Sequence, residues 1–262
     1  MNDIDDTKAP LIDHLIELRK RLLLCVAALI ISGAVCYYFA SEILGFLVEP
    51  LKQGFGDSVG KLVYTKLYEA FFVELKVAMF GAFFISFPIT ANQLWAFVAP
   101  GLYAKEKRAL LPFLLATPIL FVGGAAFAYY LVMPTAFHFF LRFQGDAGGL
   151  QLEALPSIDS YLSLVMQFIL AFGISFLLPV LMMLLNRAGI VSRAQLVGAR
   201  RYFIVGAVAV AAVITPPDVV SQLMLAIPLC LLYELTLIFI WFTDRRNARE
   251  KAEEEQALVS SE

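Results

Sequence analysis

Long apolar blocks separated by short polar connections set the pattern of this chain. Uncharged or nearly uncharged stretches cover residues 22–40, 70–94, 110–132, 161–185 and 219–242, with a shorter one at 203–214. About 18 or more mostly apolar residues suffice for a helix to cross a bilayer. The first block has 19 residues and no charge, the third 23, the fourth 25 and the sixth 24. The second carries Glu74 and Lys76 near its start, and the sixth carries one acid, Glu234. Strands of a membrane barrel would be shorter and would alternate in polarity. The pattern predicts an all-α integral membrane protein of six transmembrane helices, forming one domain over residues 1–243.

Composition supports this. Of 262 residues, 60% are hydrophobic and 16% charged, with a mean hydropathy of +0.79, whereas soluble domains run nearer about half apolar and about a quarter charged. A net charge of −2 leaves no basic face for a nucleic acid. No internal repeat or low-complexity segment stands out. Residues 244–262, with Glu250, Glu253, Glu254 and Glu255, read as a charged tail, disordered beyond a short helical extension.

The connections fix the expected orientation, because Lys and Arg are retained on the cytoplasmic side. Fifteen of them lie in the N-terminus, the second and fourth connections and the tail, against four (Lys52, Lys61, Lys66 and Arg142) on the other side. Both termini are therefore expected in the cytoplasm. The first block is expected to be a retained span: Asp3, Asp5, Asp6, Asp13 and Glu17 precede it, and no small-x-small site follows Tyr37-Tyr38-Phe39. Cys25, Cys36 and Cys230 fall in apolar spans and read as small hydrophobes. The two histidines, His14 and His138, lie on opposite sides of this topology. That argues against a bis-His haem or a His-ligated metal, so no cofactor is expected. No nucleophile–base pair or phosphate loop appears, and no enzyme is expected.

Two regions carry polar features of interest. The fifth block has 12 residues, about 18 Å of helix against a hydrocarbon core of about 30 Å. It ends in Thr215-Pro216-Pro217-Asp218, where Thr215 suits an N-cap, the prolines a first helical turn and Asp218 the N3 position. A polar turn so deep must be covered by protein or water. It reads equally as a recess bordered by Thr215, Asp218 and Gln222, or as a short hairpin packed by its neighbours. At the other face, Leu11, Leu15, Leu18 and Leu22 recur at helical spacing while Asp13, Glu17 and Arg21 share another face, an amphipathic lead into the first span. Glu17 and Arg21 are placed to pair with each other. The second connection sets Trp95, Phe97 and Tyr103 beside Lys105, Glu106, Lys107 and Arg108, a headgroup-level composition.

These segments resemble a known family. The runs His14-Leu-Ile-Glu17-Leu-Arg19-Lys-Arg21, Trp95-Ala-Phe97-Val-Ala-Pro100-Gly-Leu-Tyr103 through Glu106, and Thr215-Pro216-Pro217-Asp218-Val-Val-Ser-Gln222 closely resemble TatC, the multi-spanning signal-peptide receptor of the bacterial twin-arginine translocase. The resemblance covers nearly the whole chain and includes the six spans and the short last hairpin.

The resemblance implies a core translocase subunit of the bacterial cytoplasmic membrane. It would bind the paired arginines of signal peptides on folded proteins and work with the single-span subunits TatA and TatB, driven by the proton-motive force. A homo-oligomeric assembly with TatB is implied as well. By motif position, Glu17 and Glu106 would receive the arginines, with Arg19 and Phe97 in the same patch. Pro50 and Phe71 match positions in and beside the first outer loop, and Asp218 and Gln222 match positions where partner helices dock, with Thr215 beside them. An arginine fork fits a carboxylate in a way lysine cannot copy.

The fourth span departs from the family. Where Phe-Gly-x-x-Phe-Glu-x-Pro is usual, this chain has Phe172-Gly173-Ile174-Ser175-Phe176-Leu177-Leu178-Pro179, so Leu177 replaces an intramembrane acid. The acid expected before that span aligns with Ser157, and Asp159 stands nearby as a substitute. Glu234 is either functional or simply paired or protonated, while Glu74 and Lys76 need only snorkel. The alternative function is a secondary transporter for a small solute, with Glu234, Asp218 and Gln222 along its path. Such a protein would favour paired broken helices and a two-fold repeat, and the sequence shows one short helix and no repeat.

Overall fold

The computed structural model describes residues 8–55, 61–102, 107–148, 150–152, 154–215 and 219–259. Its helices are α1 (Lys8–Tyr38), α2 (Ala40–Phe55), α3 (Glu69–Leu102), α4 (Lys107–Phe127), α5 (Met133–Leu141), α6 (Ile158–Ser175), α7 (Leu178–Arg187), α8 (Arg193–Ile214) and α9 (Val219–Val259). Six stretches are long and apolar enough to cross a membrane: Leu15–Tyr38, Glu69–Phe97, Phe113–Leu141, Ile158–Arg187, Arg193–Ile214 and Val219–Arg246. The six-helix expectation holds. Six crossings bring both termini to one end, the terminal end, together with the α3–α4 and α7–α8 connections. The α1–α3, α5–α6 and α8–α9 connections lie at the other, the loop end.

Three details differ from the sequence pattern. The fifth helix is not 12 residues but 22, Arg193–Ile214. Counting only uncharged positions missed its first turns, which hold Arg193, Arg200 and Arg201. Ser192 and Gln195 form a complete capping box at its start. The N-terminal amphipathic segment leads into the first span without a break, as expected, within α1. The last helix continues through the charged tail to Val259, well beyond a short extension. A small antiparallel hairpin, β1 (Gly145–Ala147) and β2 (Leu150–Leu152), pairs Gly145 with Leu152 in the connection before α6; the purely helical expectation did not include it.

Two spans are interrupted at prolines. Between α4 and α5, Ala128–Val132 widens into a π-helical turn. Pro134 follows, with no N–H for the Tyr130 carbonyl and a ring that crowds it. The fourth span breaks between α6 and α7, where Pro179 removes the bond to Ser175 and the chain closes instead through Leu177 N–Ile174 O at 3.0 Å.

Spans three and four pack closely because glycines face each other's helices. A Cβ on Gly124 would overlap the Phe172 carbonyl and stand 2.8 Å from Phe176 Cβ, and one on Gly173 would stand 2.8 Å from Phe121 Cε2. Phe121 fills that seam, fully buried and stacked on Phe87 at 3.7 Å.

At the loop end α2 lies across the bundle, with Leu47, Pro50 and Leu51 buried. Two hydroxyls hold it: Tyr129 donates to the Phe46 carbonyl at 2.7 Å and Tyr161 to the Leu47 carbonyl at 2.8 Å.

Candidate functional site

The terminal end of α1 is tied to α3 through one arginine. Arg21 donates from Nε and Nη2 to Glu17 Oε1, at 3.0 and 2.5 Å, and from Nη1 to Gln93 Oε1 at 3.1 Å. The Glu17–Arg21 pairing is the i,i+4 contact the spacing allows, and the link to Gln93 adds a fixed distance to α3. Glu17 nevertheless stays open: its side chain is 41% exposed, and Oε2 accepts no bond among the described residues. Phe97 lies one turn beyond Gln93 on α3, half-buried, and Arg19 is exposed. Glu106 falls outside the described residues.

A wide groove opens along a neighbouring face of α3. It measures about 1000 Å³ and is lined by Phe87, Leu94 and Trp95 of α3, Leu177, Leu178 and Leu181 at the α6–α7 break, Phe203 and Ala207 of α8, and Tyr233 of α9, among others. Its most enclosed polar groups are already committed. Trp95 Nε1 donates to Thr117 Oγ1 at 2.8 Å, which donates to the Phe113 carbonyl at 2.7 Å. Tyr233 donates to the Leu196 carbonyl at 2.6 Å, and Thr90 to the Phe87 carbonyl at 3.0 Å. Leu177 lies in the wall of this groove, so the departure from the family pattern leaves the lining without a carboxylate. Trp95 is two residues from Gln93, about 200° around the helix. Thr90 and Leu94, which also line the groove, are only about 60° and 100° from Gln93, so the groove reaches the face of α3 next to the one that Arg21 holds.

At the loop end the hairpin residues are engaged within the hairpin. Thr215 is buried and donates Oγ1 to the Ala211 carbonyl at 2.9 Å, closing the end of α8. Gln222 Nε2 donates to the Val208 carbonyl at 3.1 Å, stapling α9 to α8. Asp218 lies outside the described residues. Pro50 is buried on the inner face of α2, whereas Phe71 is exposed on the first turn of α3. Glu234, open to two readings from sequence, accepts from Arg200 Nη2 at 2.8 Å, so the charge has a partner on the neighbouring helix.

Some contacts lay beyond sequence reasoning. Lys76, expected only to snorkel, pairs with Asp159 and donates to Ser163 Oγ at 3.1 Å. Glu69 stands directly before the second apolar block. It is buried and bonds with Thr65, Lys66 and the Asp159 backbone. An acid directly before an apolar run was the available signal.

Comparison with known proteins gives a consistent result. Residues 13–228 match the family model described as Sec-independent protein translocase protein (TatC). The Sec-independent protein translocase protein TatC of Magnetococcus marinus is 48% identical over 97% of this chain and 92% of its own length. The protein of that name from Escherichia coli is 41% identical over 91% of this chain and 90% of its own length. A crystal structure of the twin arginine translocase receptor TatC in detergent superposes with a TM-score of 0.75 at 38% identity, covering 86% of this chain and 98% of that one.

Proposed function

Since the chain belongs to the TatC family of Sec-independent protein translocase proteins, we propose that it receives twin-arginine signal peptides, with Glu17 and Glu106 as the acids that read the arginine pair. The half-open Glu17 carboxylate carries this reading. A carboxylate offers about four lone-pair sites, and Arg21 occupies only Oε1. The second oxygen remains for an incoming guanidinium, and Arg21 with Gln93 fixes where it points. Arg19 and Phe97 flank the site. Each charge-assisted hydrogen bond contributes about 1.5–3 kcal/mol, so two arginine contacts account for about two to four powers of ten in affinity.

A peptide held at Glu17 passes along the terminal end of α3 to the groove on the neighbouring face. Its apolar stretch then meets a wall of its own character. Both termini face the cytoplasm, by the Lys and Arg bias of the connections, and the membrane is the bacterial cytoplasmic membrane. TatA and TatB are the single-span partners, and several copies assemble with TatB. Partner helices dock on the α8–α9 hairpin near Gln222 and Asp218, with Thr215 holding the turn in shape. Pro50 and Phe71 serve the loop end, and the proton-motive force drives transport. The Glu234–Arg200 pair acts in holding α8 to α9.

The test is peptide binding to the purified protein. A signal peptide with Arg-Arg binds, the same peptide with Lys-Lys binds at least tenfold more weakly, and Glu17→Gln or Glu106→Gln removes most of that difference. Equal binding of the two peptides to the unaltered protein rejects the assignment.

A further inference from the structure

The loop end of the second span carries an apolar surface that peptide binding leaves unused. Just before α3, Tyr64, Leu67 and Tyr68 are exposed, Leu67 completely, and Phe71 and Phe72 continue the exposure into the first helical turn. A loop free to move would turn such side chains inward. This one is fixed. The buried Glu69 carboxylate accepts from Thr65 N at 2.6 Å, Thr65 Oγ1 at 2.8 Å and Lys66 N at 3.0 Å through Oε2, and from Asp159 N at 3.2 Å through Oε1. Val63 bridges in parallel to Ser157, with Val63 N–Pro156 O at 3.2 Å and Ile158 N–Val63 O at 3.1 Å. The first N–H groups of α6 are thus capped by this loop, and its apolar side chains are held facing outward.

The direction they face is set by α3. Tyr68, Phe72, Leu75 and Met79 are all exposed, and their spacing of four, three and four places them on one helical face. Within the span that face meets acyl chains. Tyr64 and Leu67 prolong it past the helix end, to the depth where a membrane passes from hydrocarbon to headgroups. Lys66 holds its ammonium 5.9 Å from the Tyr68 ring centroid, and Lys61 is exposed nearby. Tyrosines with lysines at a span boundary are the composition of the interface, the ring seated and the ammonium reaching phosphate.

We propose that residues 64–68 form a lipid-seated foot: Tyr64, Leu67 and Tyr68 rest in the headgroup–acyl boundary of the leaflet at the loop end, and Lys66 contacts lipid phosphate. Lipid is the occupant because the surface continues the lipid-facing stripe of α3 without a break and carries cations suited to phosphodiesters. The foot stands apart from the arginine-reading site and does not depend on which side of the membrane the termini occupy.

The experiment places an environment-sensitive fluorophore on the thiol introduced by Leu67→Cys in the full chain, reconstituted in phosphatidylethanolamine–phosphatidylglycerol vesicles. The unsubstituted chain controls for Cys25, Cys36 and Cys230. Brominated lipids are expected to quench the probe, and aqueous iodide to leave it mostly shielded. Adding Glu69→Ala, which releases the loop, should reduce quenching by lipid and increase quenching by iodide. Iodide quenching equal to that of the free fluorophore, without lipid quenching, overturns the proposal. So does shielding from both quenchers together with a disulfide that joins two unlabelled Leu67→Cys chains through the introduced thiols, which would make the surface a contact between copies of the chain.

Discussion

Tyr129 donates its hydroxyl to the carbonyl of Phe46 at 2.7 Å, and the two rings stack in parallel at 4.4 Å. Pro50, four residues after Phe46, has no N–H to give that carbonyl. The tyrosine therefore supplies a donor that the proline removes, at a half-buried carbonyl that would otherwise go unpaired. This joins the π-helical turn of the third span to α2 and gives the buried Pro50 a physical role.

The two residues should be coupled. Tyr129→Phe keeps the stacked ring but loses the donor, and is expected to destabilise the protein by about 1–3 kcal/mol. In a Pro50→Ala background the helix can supply its own N–H to Phe46, and the same substitution should cost clearly less. Thermal unfolding of the four proteins in detergent measures the coupling, and additivity would show that the hydroxyl does not stand in for the missing N–H.

Close contact between spans three and four rests on Gly124. Any side chain there meets the Phe172 carbonyl and Phe176, atoms that a helix cannot easily move. Gly124→Leu is expected to part the helices and lower stability by about 1–3 kcal/mol or more. By contrast, Gly123→Leu should be tolerated, since nothing lies within 4 Å of a Cβ at that position. Melting curves of the two variants in the same detergent make the comparison, and equal loss would refute the close approach.

Arg200 and Glu234 form a second coupled pair. Arg200→Ala leaves the half-exposed Glu234 carboxylate between α8 and α9 without its cation, and should lower the melting temperature more than the double variant Arg200→Ala with Glu234→Ala. The half-exposed geometry of both side chains limits the size of the effect. Peptide binding at the terminal end should be unchanged in the double variant. A binding loss comparable to that of Glu17→Gln would instead give Glu234 a part in recognition.

Five of the six spans were legible because their apolar blocks are long, a property of neighbouring residues alone. The start of α8 was not, since Arg193, Arg200 and Arg201 interrupt the apolar pattern without interrupting the helix. Glu17 with Arg21 could be foreseen from a spacing of four. Its tie to Gln93 could not, because that contact spans 72 residues of chain. The same holds for Glu69 and the Asp159 backbone, 90 residues apart. Leu177 was legible as a departure from a motif, and only the packing of α3 with α6–α9 shows that it faces a groove. In sequence Thr215 reads as the N-cap of the following helix; in the fold it stands at the C-cap of α8, with Oγ1 turned back to the Ala211 carbonyl.

The groove beside Trp95 has a thermodynamic corollary. In a bilayer an apolar hollow of about 1000 Å³ does not stand empty; hydrocarbon tails fill it. Whatever enters must send those tails back to the surrounding lipid, and the exchange swaps one oily neighbour for another, with no water released to drive it. Residence there is governed by fit and by the freedom regained by the displaced chains, so occupancy should respond to acyl length and unsaturation even when every protein residue is left unchanged.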